Sequence, residues 1–258
     1  MSFTDRRPLR QTATPSIHSS IAHRRSPSLF FPASFKCGSS LEQSKMKRVR
    51  GRPSKTRVPE QEQPITIGID FGTTNSSVAI LEGSSEFPVA KCINNTESDQ
   101  TFIPSVVYYQ GNGSHEPWIV GVSAQNYRMN LIKESGTERK RIFYELKRLM
   151  GRKFSAIQDI KQQFAYDIVE GDGDVIRIRI EEDGQVMLEE PERIASYILQ
   201  ELRRMAERYK GYEEGTITRV VIAVPTEFDN DQMEAIRNAA KYAGFEWIRL
   251  VFLVSQHK

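Results

Sequence analysis

From residue 64 onward the hydrophobic positions follow two different periods. Ile65–Asp70 and Ser77–Leu81 alternate as strands do, and Phe87–Ile93 supplies a third such run. Ser105–Tyr109 is rich in β-formers, and a Gly-Asn-Gly turn at 111–113 leads into Trp118–Val120. Helical spacing takes over in 121–129 and again in 138–150, where it places Ile142, Leu146 and Leu149 on one face. Phe164–Val169, Val175–Glu181 and Gln185–Leu188 read as a small antiparallel sheet, with Asp183-Gly184 as the turn between the last two. Pro191 suits the first turn of a long amphipathic helix through Ile194, Ile198, Leu202 and Met205 to about Tyr209, with Gly211 as its stop. Val220–Val224 is a continuous apolar run and predicts a strand buried on both faces. Asp229–Ala243 predicts a helix with a close-packing face of Ala235, Ala239 and Ala243; Gly244 ends it and Trp247–Val251 begins another strand. Three strands, an α+β insertion, then helix, strand, helix, strand define an α/β fold.

Residues 1–63 lack this patterning. They are rich in Ser, Pro and Arg, with Leu29-Phe30-Phe31 and Phe35 as the apolar exceptions, and the expectation there is disorder. Charge divides at the same place: 13 Lys/Arg against 4 Asp/Glu before residue 64, 23 against 29 after it. A basic tail thus precedes a mildly acidic body, and the overall pI of about 8.8 is no nucleic-acid signature for the whole chain. Cys37 and Cys92 lie far apart in sequence, without metal-ligand spacing or a disulfide framework, which favours a reducing compartment. No run approaches the ~20 apolar residues of a membrane span, and no apolar leader core lies near the N-terminus.

The stretch Ile65 to Ile80 carries the densest chemistry. It reads as strand, tight polar turn, strand, with Asp70 at the end of the first strand, between Gly68 and Gly72. Gly72 lets backbone approach a ligand closely. Successive N–H groups in such a turn can converge on one anion. The Thr73 and Thr74 hydroxyls add donors, and a carboxylate at a strand end can hold a hydrated Mg²⁺. The pattern suits a nucleoside triphosphate clasp; the alternative is an ordinary hairpin with a Gly-Thr turn.

This segment resembles the first phosphate loop of the heat-shock protein 70 family, in its bacterial and organellar form with Asn75 after the paired threonines. Further resemblances follow in the family's order: Phe102-Ile103-Pro104-Ser105, Leu146 to Arg152, Val220 to Phe228, and Ala239 to Leu250. Together they cover residues 64 to about 250. The resemblance implies a ribonuclease H-like lobe, lobe I of an actin/heat-shock-protein-70 ATPase. Residues 64–104 and 191–258 would form its core subdomain, with 105–190 inserted as a second.

The same resemblance implies ATP or ADP with Mg²⁺ as cofactors. Asp70 would stand near Mg²⁺ through water, and Gly72, Thr73, Thr74 and Asn75 would cradle the phosphates. Lys147 would reach the γ-phosphate and the attacking water, and Pro225 would belong to a relay between nucleotide and substrate domains. Read from composition alone, Lys147 is a solvated surface lysine and Pro225 a strand terminator. Partners implied are unfolded peptide clients, J-domain co-chaperones and nucleotide-exchange factors, with no membrane. Several positions depart from the family: Met233 stands where an arginine is usual, Glu227 where an aromatic is usual, and Leu253 where the catalytic glutamate is usual. The second phosphate loop, the adenosine pocket, the opposite lobe and the peptide-binding domain have no counterpart in these 258 residues. The expectation is weak ATP binding, negligible hydrolysis, and apolar surface left bare on Val220–Val224 and Trp247–Val254.

The basic run Lys45 to Arg57 leaves several readings open. It suits nuclear import, and Arg50-Gly51-Arg52-Pro53 resembles an AT-hook that would lie in the minor groove of A·T-rich DNA. Residues 1–40 are Arg- and Ser-rich and poor in acids, like an organellar transit peptide. A solvated tail, or a true start at Met46, is the further reading. A non-enzymatic adaptor tethered to the nucleus or to DNA is therefore the alternative to a chaperone.

Overall fold

A computed structural model describes residues 64–83, 88–131 and 137–253. The readings placed on the tail before residue 64, including the nuclear-import, DNA-binding and transit segments, lie outside the described residues. The chain runs β1 (Thr66–Phe71), β2 (Asn75–Glu82), β3 (Val89–Cys92), β4 (Ile103–Pro104), β5 (Val106–Tyr109), β6 (Trp118–Val120) and α1 (Val122–Leu131). After a 3-10 turn come β7 (Ile142–Tyr144), a second 3-10 turn at Leu146–Arg148, and two more before β8 (Asp167–Gly171). Then follow β9 (Val175–Glu182), β10 (Gln185–Glu189), α2 (Pro191–Lys210), β11 (Arg219–Pro225), α3 (Asn230–Tyr242) and β12 (Trp247–Leu253). The architecture is mixed α/β with several sheets.

The central sheet has the order β12-β11-β1-β2-β3, with β4 pairing β2. β11 is parallel to both β1 and β12, whereas β2 is antiparallel to β1 and β3. Two three-stranded antiparallel sheets, β6-β5-β7 and β10-β9-β8, are built from the chain between β4 and α2. Helix α2 lies across β1 and β2 and alongside α3. Its Ile194, Ile198, Leu202 and Met205 are buried, as the spacing predicts, and Pro191 occupies the first turn. α3 starts from a capping box between Asp229 and Gln232 and buries Ala235 and Ala239, with Ala243 buried just past its end. No described helix is long and apolar enough to cross a membrane.

Three expectations need correction. Residues 138–150 do not form a helix: Ile142-Phe143-Tyr144 pairs with β5 as strand β7. A run of one β-branched and two aromatic residues prefers that pleated environment, and tertiary pairing overrides the helical spacing. Glu145 then adopts a left-handed backbone (φ 54°), and Leu146–Arg148 makes a single 3-10 turn. Residues three apart eclipse in such a turn, so Leu146 and Leu149 are still both buried.

The second correction concerns β11, which is not buried on both faces. Val220, Ile222 and Val224 are buried while Val221 and Ala223 are only half covered. One face of the sheet rests on α2 and α3 and the other lacks an equal cover. The third correction is that the bare apolar surface is found on β12 alone of the two predicted runs: Val251, Phe252 and Leu253 are 37%, 55% and 41% exposed. Val254 lies outside the described residues, as does Phe87 at the start of the predicted third strand.

Candidate functional site: a braced turn and a half-buried lysine

β1 alternates strictly. Ile67, Ile69 and Phe71 point into the core, so Gly68 and Asp70 face the opposite side, where Asp70 is half-buried between Ser77 of β2 and Ala223 of β11. Beyond Phe71 the chain turns within three residues and re-enters the sheet at Asn75, which pairs with Pro104. Gly72 is required by the turn itself. A Cβ there would lie 2.0 Å from the Asn75 carbonyl oxygen, inside any permitted contact. Gly72 therefore closes its own turn.

A ring of hydrogen bonds holds the turn from the core side. The Gly72 N–H donates to Ser76 Oγ at 3.2 Å, and Ser105 Oγ donates to the Gly72 carbonyl at 2.9 Å. The two hydroxyl oxygens are 2.8 Å apart. Each hydroxyl has one proton, so Ser76 must donate to Ser105, and the ring closes in one direction. The Ser105 N–H adds a bond of 2.8 Å to the Thr74 carbonyl. Both serines are buried. With the Gly72 N–H engaged, the groups the turn offers to a ligand are those of Thr73, Thr74 and Asn75, of which Thr74 and Asn75 are exposed.

Lys147 comes from the 3-10 turn, not from a helix face. Its Nζ donates to the Phe71 carbonyl at 2.6 Å, next to Asp70 along the backbone. The ammonium also lies 5.8 Å from the Phe71 ring centroid and 5.3 Å from that of Phe228, within cation–π range of both. Burial lowers the lysine's pKa, and the negative charge of Asp70 partly offsets that shift. Lys147 is therefore far from the solvated surface residue that composition alone suggests.

The turn bearing Lys147 is anchored behind. Gly151 has φ 68°, and a Cβ there would meet Gln232 Cα at 2.5 Å, at the start of α3. Its N–H donates to Glu192 Oε1 at 3.1 Å, and burial pushes the Glu192 carboxyl up. Arg148 pairs with Glu145 at 2.5 Å.

Pro225 closes β11, two residues beyond the partner of Asp70, and faces Leu253 across to β12. Its carbonyl accepts from the Phe228 N–H at 3.3 Å. Pro225 thus connects to Lys147 through Phe228. The structure brings together Asp70, the Gly72–Asn75 turn and Lys147, with Pro225 at one remove. Glu227 is exposed and Met233 is half-buried in α3. A cavity of about 400 Å³ lined by Lys153, Arg177 and Glu192 among others contains none of the predicted site residues.

Ser76, Ser105 and Phe228 were missed as contributors. Ser105 and Phe228 each end a string that carries the family resemblance, but their roles depend on contacts made across the chain. No local spacing reports those contacts.

The residues fit a magnesium–polyphosphate ligand. A half-buried carboxylate and a half-buried ammonium with no ion-pair partner among the described residues flank a turn that presents hydroxyl and amide groups. The Hsp70 protein family model matches residues 66–253. The chain is also similar to the chaperone protein DnaK of Thermus thermophilus, 37% identical over 186 residues, which are 72% of this chain and 26% of that protein. The chain therefore spans about a quarter of the length of that relative.

Proposed function

The chain belongs to the Hsp70 family, and on that premise we propose that it carries the phosphate-clasp lobe of an Hsp70-type chaperone ATPase. The core subdomain would comprise 64–104 and the residues from 191 onward, with 105–190 inserted. The observation that carries this reading is the meeting of Lys147, delivered by the insertion, with the strand end that bears Asp70.

Asp70 would hold the water shell of Mg²⁺, and Thr73, Thr74 and Asn75 would receive the phosphate oxygens. Mg²⁺, when bound, would neutralise charge on those oxygens. Lys147 supplies a positive charge where phosphoryl transfer builds negative charge, and its burial makes that charge more effective than in water. Leu253, where the family resemblance expects a glutamate, can neither accept a proton nor orient water. The reading is accordingly of nucleotide binding with little turnover. In a whole family member the same clasp would serve a cycle of peptide capture and release, with J-domain co-chaperones and nucleotide-exchange factors as partners.

Calorimetric titration of the 258-residue chain with ATP, with and without Mg²⁺, tests this. Weak binding that requires Mg²⁺ and disappears in Asp70→Asn is the expected result. Binding indifferent to both Mg²⁺ and Asp70 refutes the clasp, as does no binding at all.

A further inference from the structure

Beside the turn lies a second cavity, of about 120 Å³, whose walls include Thr73, Thr74 and Asn75 on one side and Gln125, Arg128 and Tyr144 on the other. We infer that it is a phosphoryl subsite, in which Arg128 of helix α1 and the Gln125 amide receive the oxygens of a phosphoryl group presented at the clasp. The inference rests on the clasp reading above and adds a cation that the family resemblance does not supply.

Several observations converge. The Arg128 guanidinium carbon sits 3.9 Å from the Tyr144 ring centroid, so the group is held against an aromatic face. That contact uses the face of the guanidinium and leaves its N–H edge available for planar, two-point recognition of an oxyanion. Among the described residues the Arg128 side chain makes no hydrogen bond and no ion pair. The carboxylate that also borders this cavity, Glu145, is already engaged by Arg148 at 2.5 Å. Among the described residues no carboxylate pairs with Arg128, so its positive charge borders the cavity without an ion-pair partner.

Gln125 and Arg128 are three apart on α1 and share one face of the helix. The turn's inward hydrogen-bonding groups at Gly72 are used by the serine ring, so its remaining polar groups are the ones lining this space. The volume equals about four water molecules, enough for a phosphoryl group and too little for a nucleoside.

The test uses the full, ¹⁵N-labelled 258-residue chain and NMR, which reads weak binding directly. Mg·ATP, Mg·ADP and inorganic phosphate are titrated separately, while the Arg128 Nε–H and the backbone amides of Thr73–Asn75 are followed. The expected result is a saturable shift of the Arg128 side-chain signal together with the turn amides. Arg128→Ala should weaken binding about tenfold, the loss of one charge-assisted hydrogen-bonded contact, with a melting temperature lowered by no more than a few degrees from the lost contact with Tyr144, and Arg128→Lys should fall between. A response to ATP alone assigns the site to the third phosphoryl group of a nucleotide. A response to inorganic phosphate alone assigns it to free phosphate, and either one supports the subsite. An Arg128→Ala chain whose turn amides titrate with an affinity within about twofold of wild type overturns the subsite and leaves the clasp standing. If no titrant moves Thr73–Asn75 in the wild-type chain, the clasp reading falls first and the subsite with it.

Discussion

The two faces of the central sheet are built from the same strands and have opposite fates. Toward α2 and α3 stand Ile67, Ile69, Val78, Val220 and Ile222, all buried and all apolar. On the other face stand Gly68, Asp70, Ser77, Val221 and Ala223, all but Val221 small or polar and all only half covered. The first face stabilises the lobe by removing apolar surface from water. The second contributes little burial, and that leaves it free to carry a carboxylate next to a turn with available donors. The contrast teaches that in this sheet chemistry is placed one residue out of phase with packing.

The most demanding test of that contrast pairs neighbours on β11. Ile222→Ala should cost about 3–4 kcal/mol in urea unfolding, because a fully buried side chain leaves a cavity. Val221→Ala should cost under ~1 kcal/mol. Equal losses would mean that the second face is as tightly packed as the first.

Next in size is the bracing of the turn. Ser105→Ala breaks the hydroxyl ring and leaves the Gly72 carbonyl without its side-chain donor, so a loss of about 1–2 kcal/mol is expected in the same assay. Nucleotide affinity should fall with it. Unchanged stability would show that water replaces the hydroxyl without penalty.

The smallest effect concerns Lys147. Its folded-state pKa lies below the ordinary 10.5, so between the two values the unfolded chain holds the proton more firmly. Stability must therefore rise with pH across that interval on account of this group. Tyr109, pushed up to about 12 by burial and its bond to Glu182, acts the other way at higher pH. The difference between wild type and Lys147→Met isolates the lysine. Wild type should gain on the variant as pH rises through the interval. A gap that stays constant with pH would place the ammonium in water.

The packed face was largely legible from the chain. The spacing of Ile194, Ile198, Leu202 and Met205 places α2, and the alternation around Ile67 and Ile69 places β1, because burial imposes a period that the sequence must repeat. The position of Asp70 was legible too, as an acid at a strand end between two glycines. What stayed hidden was everything set by distant partners. Ile142 to Leu149 shows helical spacing, yet Tyr144 pairs with Val106 and the helix never forms. Ser105 gave no sign that it bonds Gly72, 33 positions earlier. Arg128 looks like any helix-surface cation until Tyr144 is found beneath it. Apolar periodicity is a local record of a face, whereas a site is a meeting of segments.

The serine ring has a consequence for how a ligand would be received. Because its proton order runs one way and both hydroxyls are buried, the turn is already fixed in shape before anything arrives. The ordering entropy of those residues is charged to folding and not to association. The amide of Gly72 should accordingly exchange with deuterium slowly in the ligand-free chain, in step with the strands on either side of it.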